Sequence, residues 1–180
     1  MMSLKLPFER LERVRDYFLF ACFTGLSYAD VKKFTRKEIE ITDSGKWIKT
    51  RRKKTGGVVF VPILDVAWQI IQKYNPYFEE LMPEDPVLPI MSNQKMNGYL
   101  KEIADLAKIS KQLSYHIARH TFATTVTMLN GVPIETVSKM LGHKNITSTQ
   151  HYARIVDNKV NKDMKVLADQ LDGKMVLNWS

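Results

Sequence analysis

His116-Ile117-Ala118-Arg119-His120-Thr121-Phe122-Ala123-Thr124 decides the reading of this chain. The stretch opens a helical pattern over residues 116–130 that Gly131 ends. Pro133 suits the first turn of a further helix running to Leu141, and Gly142 suits its stop. His143 follows at once. Tyr152 sits nine residues later, inside a short helix expected over 147–154. The last third of the chain therefore reads as helical, and it holds two imidazoles, a guanidinium and a phenol at fixed spacings.

Upstream, Val14, Tyr17, Phe18, Ala21 and Cys22 recur at three and four residue steps, which predicts a helix over 10–23 with Gly25 beyond its end. Ser27-Tyr28-Ala29-Asp30 fits a capping box, with Ser27 as the N-cap and the Asp30 carboxylate returning to its backbone N–H, so a short helix to about Phe34 follows. Strands are expected at 38–42, 47–50 and 58–61, joined by Asp43-Ser44-Gly45 and by a loop containing Thr55-Gly56-Gly57, with Pro62 closing the last one. Helices are expected over 65–74 and 94–108, separated by an extended connection marked by Pro83, Pro86 and Pro89. A tail helix is expected over 158–171. The predicted fold class is α+β, mostly α-helical, with a small three-stranded antiparallel sheet near the N-terminal third. No repeat, low-complexity tract or Ser/Gly-rich linker divides the chain.

With 180 residues, 44% of them hydrophobic, the chain can bury one full core. Its 27 Lys and Arg against 19 Asp and Glu give a net charge of +8, which makes a polyanion the expected partner, with nucleic acid ahead of a membrane. Six of the cations lie in the span 46–54, at the tip of the predicted hairpin. No apolar run approaches the roughly 18 residues of a bilayer span, and the start lacks the apolar segment of a signal peptide. The single cysteine, Cys22, lies in an apolar run and reads as a small core residue; it has no internal disulfide partner, which suits a reducing, cytoplasmic setting.

An Arg and two His can hold a phosphodiester and spread its developing charge. Arg119 can donate two parallel N–H bonds to the non-bridging oxygens, a geometry Lys cannot mimic, and preorganised donors of this kind are worth about 3–4 kcal/mol each. His116, three residues earlier on the same helix, shares nearly the same face. It could orient the phosphate or accept the tyrosine proton. His143, in a loop after a helix end, could bond a non-bridging oxygen. Tyr152 can attack the phosphorus and keep it as an ester, which conserves the bond energy, so neither metal nor nucleotide cofactor is required. A Lys at the hairpin tip, Lys53 or Lys54, can protonate the leaving 5′-oxygen. Arg51, Arg52 and Lys53 are expected to contact DNA. His116 and His120 stand at the i, i+4 spacing of zinc helices, but Ile117 occupies the place of a metalloprotease Glu and no third ligand is near, so no metal is expected. No Gly-x-Ser-x-Gly elbow, phosphate-binding P-loop or dinucleotide fingerprint occurs.

These residues resemble the catalytic domain of the tyrosine recombinases, the phage integrase family, and especially the integrases of Bacteroides-type mobile elements. The carrying segments are Phe20-Ala21-Cys22-Phe23-Thr24-Gly25-Leu26, Lys54-Thr55-Gly56, the nine residues from His116 to Thr124, Gly131-Val132-Pro133-Ile134-Glu135, Leu141-Gly142-His143 and Tyr152-Ala153-Arg154. The resemblance runs from about residue 9 to 157. It implies Tyr152 as nucleophile, Arg119 and His143 as phosphate ligands, His116 as general base and Lys54 as general acid. It further implies double-stranded DNA as partner, a monomer in isolation and a homo-tetramer on DNA, and a bacterial, nucleoid-associated location. Residues 158–180 would form a tail whose apolar Val166, Leu167 and Leu171 pack on their own domain or on a neighbouring protomer.

Two departures stand out. The family usually has an Arg directly after Thr-Gly-Leu, where this chain has Ser27. Either the site tolerates the change, or another cation such as Arg15 fills the gap, or the protein is impaired; the first two together are the favoured reading. Second, nothing before residue 9 is long enough for the family's N-terminal DNA-clamping domain, so the chain reads as an excised catalytic fragment or a natural truncation. A type IB-like topoisomerase, which uses the same chemistry, and a catalytically impaired DNA-binding module are the competing functions.

Overall fold

The computed structural model describes residues 4–153 and 164–169. The helix α1 (Glu9–Thr24) lies at the centre of the fold. Leu11, Val14, Tyr17, Phe18, Phe20, Ala21 and Cys22 are all buried along it. It is covered by α3 (Asp65–Tyr74), α4 (Asn93–Leu106) and α5 (Tyr115–Thr121). A helix buried on several sides needs apolar residues on more than one stripe, which is why Phe20 joins the stripe formed by Val14, Tyr17, Phe18 and Ala21. Cys22 is part of this core, and burial pushes its thiol up to about 12.

Three antiparallel strands, β1 (Ile39–Thr42), β2 (Gly45–Arg51) and β3 (Val58–Pro62), pair in the order β1-β2-β3. Ile48, Thr50, Val59 and Val61 face the core by the period-2 rule. Trp47 and Phe60 stack on the other face with ring centroids 4.6 Å apart. Pro62 ends β3, an edge strand that tolerates the missing donor. The strand expected from residue 38 begins one residue later, because Thr35 and Glu38 cap a 3₁₀ turn over Arg36–Glu38. The architecture is α+β and mostly helical, as the periodicity predicts.

Two local expectations are corrected. The helix expected over 116–130 changes register after α5. It continues as a π-helical turn (Phe122–Thr127) and a 3₁₀ turn (Met128–Asn130) that Gly131 ends. The cause lies in side chains. Thr124 Oγ1 donates to the His120 carbonyl, and Thr127 Oγ1 donates to the Phe122 and Ala123 carbonyls, competing for acceptors that a regular helix would use. The second correction concerns α2 (Tyr28–Val31). Ser27 Oγ accepts from the Asp30 N–H as expected, but the Asp30 carboxylate does not return to Ser27 N–H. It accepts from Lys53 N–H at 2.9 Å and the Ser27 hydroxyl at 2.6 Å, and it lies 3.0 Å from Arg52 Nε. A carboxylate only 3% exposed is best compensated by a guanidinium, and the hairpin supplies one.

The chain continues through α6 (Ile134–Met140) and α7 (Thr147–Ala153). Residues 164–169 are helical and expose Met164, Val166 and Leu167. The rest of the expected tail helix, Leu171 included, lies outside the described residues. Among the described residues no helix is long and apolar enough to cross a membrane.

Candidate active site

Arg119 reaches the site from α5 and is 3% exposed. Its Nη1 donates to the Gly25 carbonyl and its Nη2 to the Leu141 carbonyl, both at 2.6 Å. These carbonyls lie where α1 and α6 end, at the negative poles of the two helices, so the guanidinium caps both. Among the described residues no carboxylate pairs with Arg119. Burial, then the neighbouring Arg52 charge, lowers its pKa to about 10, with Tyr152 and Asp30 acting the other way.

His143 follows Gly142, whose φ of +61° turns the chain off α6. Arg119 Nη2 lies 3.0 Å from His143 Nε2, and His143 Nδ1 lies 2.8 Å from Thr149 Oγ1. A guanidinium only donates, so Nε2 is the acceptor here, the proton sits on Nδ1, and that N–H donates to Thr149. Burial, then Arg119 and Arg52, lowers the imidazole to about 4. His143 is therefore neutral at physiological pH in the free chain.

Tyr152 projects from α7 and is 6% exposed. Its ring lies parallel to His143 with centroids 6.3 Å apart and an interplanar angle of 9°. On another side it meets His120 edge-to-face at 4.8 Å.

The β2–β3 hairpin is pinned against the His143 loop by two glycines. An added Cβ on Gly57 would lie 2.4 Å from the Gly142 carbonyl oxygen, and one on Gly142 would lie 2.9 Å from the Val58 carbonyl oxygen. This close approach carries Arg52 into the site. Its Nη1 donates at 2.9 Å to the same Leu141 carbonyl that Arg119 uses. Two guanidinium groups thus converge on one oxygen, and only Arg52 has a carboxylate partner among the described residues.

The structure gathers Arg119, His143 and Tyr152, and adds Arg52. It does not bring Arg15 to them. Arg15 pairs with Asp16 at 2.9 Å and donates to the Leu4 carbonyl, so its charge is committed at the far part of α1. His116 is exposed and meets His120, with ring centroids 4.9 Å apart. Lys54 and Lys53 are exposed in the hairpin turn, and Arg51 is exposed with a long 3.5 Å contact to the Gly56 carbonyl. Asp30 and Thr149 were missed by sequence reasoning. Asp30 carried a local signal, the capping pattern, but nothing local tied it to Arg52 twenty-two residues on. Thr149 carried none.

A model described as the phage integrase family matches residues 9–159. The chain belongs to the phage integrase family. Curated relatives within reach of this family include the tyrosine recombinase XerA of Saccharolobus solfataricus, 29% identical over 147 residues that cover 81% of this chain and 47% of the relative. XerD of Proteus mirabilis is 28% identical, covering 91% of this chain and 52% of the relative. The chain thus spans about half the length of the curated relatives it matches. In fold it resembles the crystal structure of XerA recombinase, with a TM-score of 0.63 and 20% identity over 94% of this chain and 65% of that one. It also resembles the Tn1549 transposon integrase in complex with circular intermediate DNA, with a TM-score of 0.61 and 18% identity over 90% and 62%.

Proposed function

We propose that this phage integrase family chain is the catalytic part of a site-specific DNA recombinase acting through a 3′-phosphotyrosyl intermediate. The carrying observation is the convergence of Arg119 and Arg52 on the Leu141 carbonyl, with His143 bonded to Arg119 and the Tyr152 ring lying over His143. A buried, incompletely compensated positive centre beside a phenol suits a phosphodiester. Tyr152 Oη attacks the phosphorus and its proton passes toward His116. The bond from phosphorus to the 5′-oxygen breaks, and the 5′-hydroxyl leaves with a proton from Lys54. Arg119 and Arg52 hold the non-bridging oxygens, and His143 donates to one of them once its proton is moved to Nε2. Resealing reverses these steps and needs no external energy source.

In this reading Ser27 does not leave a hole. Ser27 bonds Asp30 and Asp30 holds Arg52, so the guanidinium lost from position 27 is supplied by the hairpin. Arg15, fixed by Asp16, is set aside. The partner is double-stranded DNA, a reading supported by the Tn1549 transposon integrase having been solved in complex with circular intermediate DNA. Arg51, Lys53 and Lys54 lie on the exposed hairpin as phosphate contacts. We read the chain as a monomer alone and a homo-tetramer on DNA, in the bacterial cytoplasm and on the nucleoid. The exposed Met164, Val166 and Leu167 would cover an apolar surface within that assembly.

Covalent capture tests this. The chain is incubated with a pool of nicked duplex oligonucleotides of randomised sequence, and protein–DNA adducts are isolated under denaturing conditions. Wild type and Arg15→Ala should form adduct selecting one sequence family. Arg52→Ala should fall by at least 100-fold, and Tyr152→Phe should form none. Adduct from Tyr152→Phe would sink the assignment of the nucleophile. Sequence-independent relaxation of supercoiled plasmid would indicate a topoisomerase instead.

A further inference from the structure

Three of the four histidines of the chain lie around the Tyr152 ring, and the fourth packs on one of them. His143 is parallel to it at 6.3 Å, and His151 meets it at 6.4 Å and 68°. His120 is nearer than either, with centroids 4.8 Å apart and an interplanar angle of 77°. His116 lies one ring further out, packed on His120 at 4.9 Å and 85°. Of the four imidazoles, His120, half-buried, is the one packed most closely on the phenol, and His116 stands behind it on the exposed side.

We propose that His120 is a positioning residue for the reaction, its imidazole holding the Tyr152 phenol edge-to-face beside His143 and Arg119 and joining it to His116. The proposal rests on Tyr152 being the nucleophile. The geometry follows from the backbone. His120 comes one residue after Arg119, so the two side chains leave α5 about 100° apart. One is directed to the α1 and α6 carbonyls and the other to α7. His116 lies one helical turn before His120 and meets it edge-to-face. An edge-to-face contact sets both the distance and the tilt of a ring, and a phenol anchored on two sides has few orientations in which to meet a phosphorus atom. Near-attack geometry of this kind enters the rate rather than the binding. The charged and titratable groups facing His120 are His116 and Arg119 from α5 and His151 and Tyr152 from α7, with His143 beyond the phenol. Burial first, then His116, His151 and Arg119, lowers the His120 pKa, which disfavours the charged ring beside the phenol.

Two measurements on the whole chain test this, one independent of DNA. In the first, tetranitromethane nitration of Tyr152 is mapped by peptide mass spectrometry. Tyr152 should be protected in wild type and in His120→Phe, which keeps a flat ring at this place. Nitration should rise at least fivefold in His120→Ala. In the second, the single-turnover rate of adduct formation is measured at saturating captured duplex. The rate should drop at least tenfold in His120→Ala and recover to within threefold of wild type in His120→Phe, with DNA affinity and melting temperature unchanged. Equal nitration of wild type and His120→Ala would overturn the proposal. So would a His120→Phe variant as slow as His120→Ala, or a loss of rate matched by a loss of affinity. Absence of any wild-type adduct would count against the recombinase reading, and the nitration result would still judge the contact.

Discussion

Asp30 shows how one buried carboxylate organises a cationic site. It accepts hydrogen bonds from Lys53 N–H and the Ser27 hydroxyl, forms an ion pair with Arg52 at 3.0 Å, and is 3% exposed. Removing one partner of a buried pair leaves the other uncompensated. Asp30→Asn is therefore expected to destabilise the chain by about 3 kcal/mol, read by urea unfolding, and to release Arg52, read as weaker DNA binding. His143, bonded to Arg119, makes a pH prediction. Its folded pKa, about 4, lies below the ordinary imidazole value of 6.5, so between these values the unfolded chain binds more protons and stability falls as the pH is lowered. Thermal melts of wild type should show this loss from about pH 6.5 down to about pH 4. In His143→Gln the decline over that window should be shallower; equal slopes would contradict the assignment.

At the level of elements, the hairpin and the His143 loop act as one unit because two backbones touch. Gly57→Ala would drive a Cβ to 2.4 Å from the Gly142 carbonyl oxygen. The loop must shift, at about 1–3 kcal/mol, and Arg52 moves with it. The expected result is a folded chain by circular dichroism with adduct formation reduced at least tenfold. The π-helical turn gives a second element-scale prediction. Thr127 is buried, and its hydroxyl supplies two carbonyls. Thr127→Val keeps the shape and removes the donor, so about 1–3 kcal/mol of stability should be lost. Calorimetric melting that left Tm unchanged would show the turn is held by other means.

Over the whole molecule, stability rests on α1. Phe20 is fully buried and packs on Phe34, with ring centroids 5.9 Å apart. Phe20→Ala should cost about 3–5 kcal/mol, which for a chain of this size lowers Tm by roughly 10 °C. A scanning calorimeter checks it. The same core explains what could be read without coordinates. Hydrophobic periodicity and Gly and Pro punctuation specified the helices and strands to within a few residues, because both depend on neighbours close in sequence. The spacing from His116 to Tyr152 singles out His116, Arg119, His143 and Tyr152 as candidates. Other features were decided only in three dimensions. Arg52, not Arg15, stands beside Arg119, because Asp30 captures it across a hairpin and two glycines let that hairpin settle on Gly142. His120, not His116, touches the phenol, because α7 packs on α6 and on the π-helical turn that follows α5, which sets Tyr152 beside the C-terminal end of α5. The helix after residue 121 widens, because threonine hydroxyls compete for its carbonyls. Local pattern dictates which elements form, whereas the pairing of charges and rings depends on contacts between segments whose separation along the chain carries no signal of their meeting.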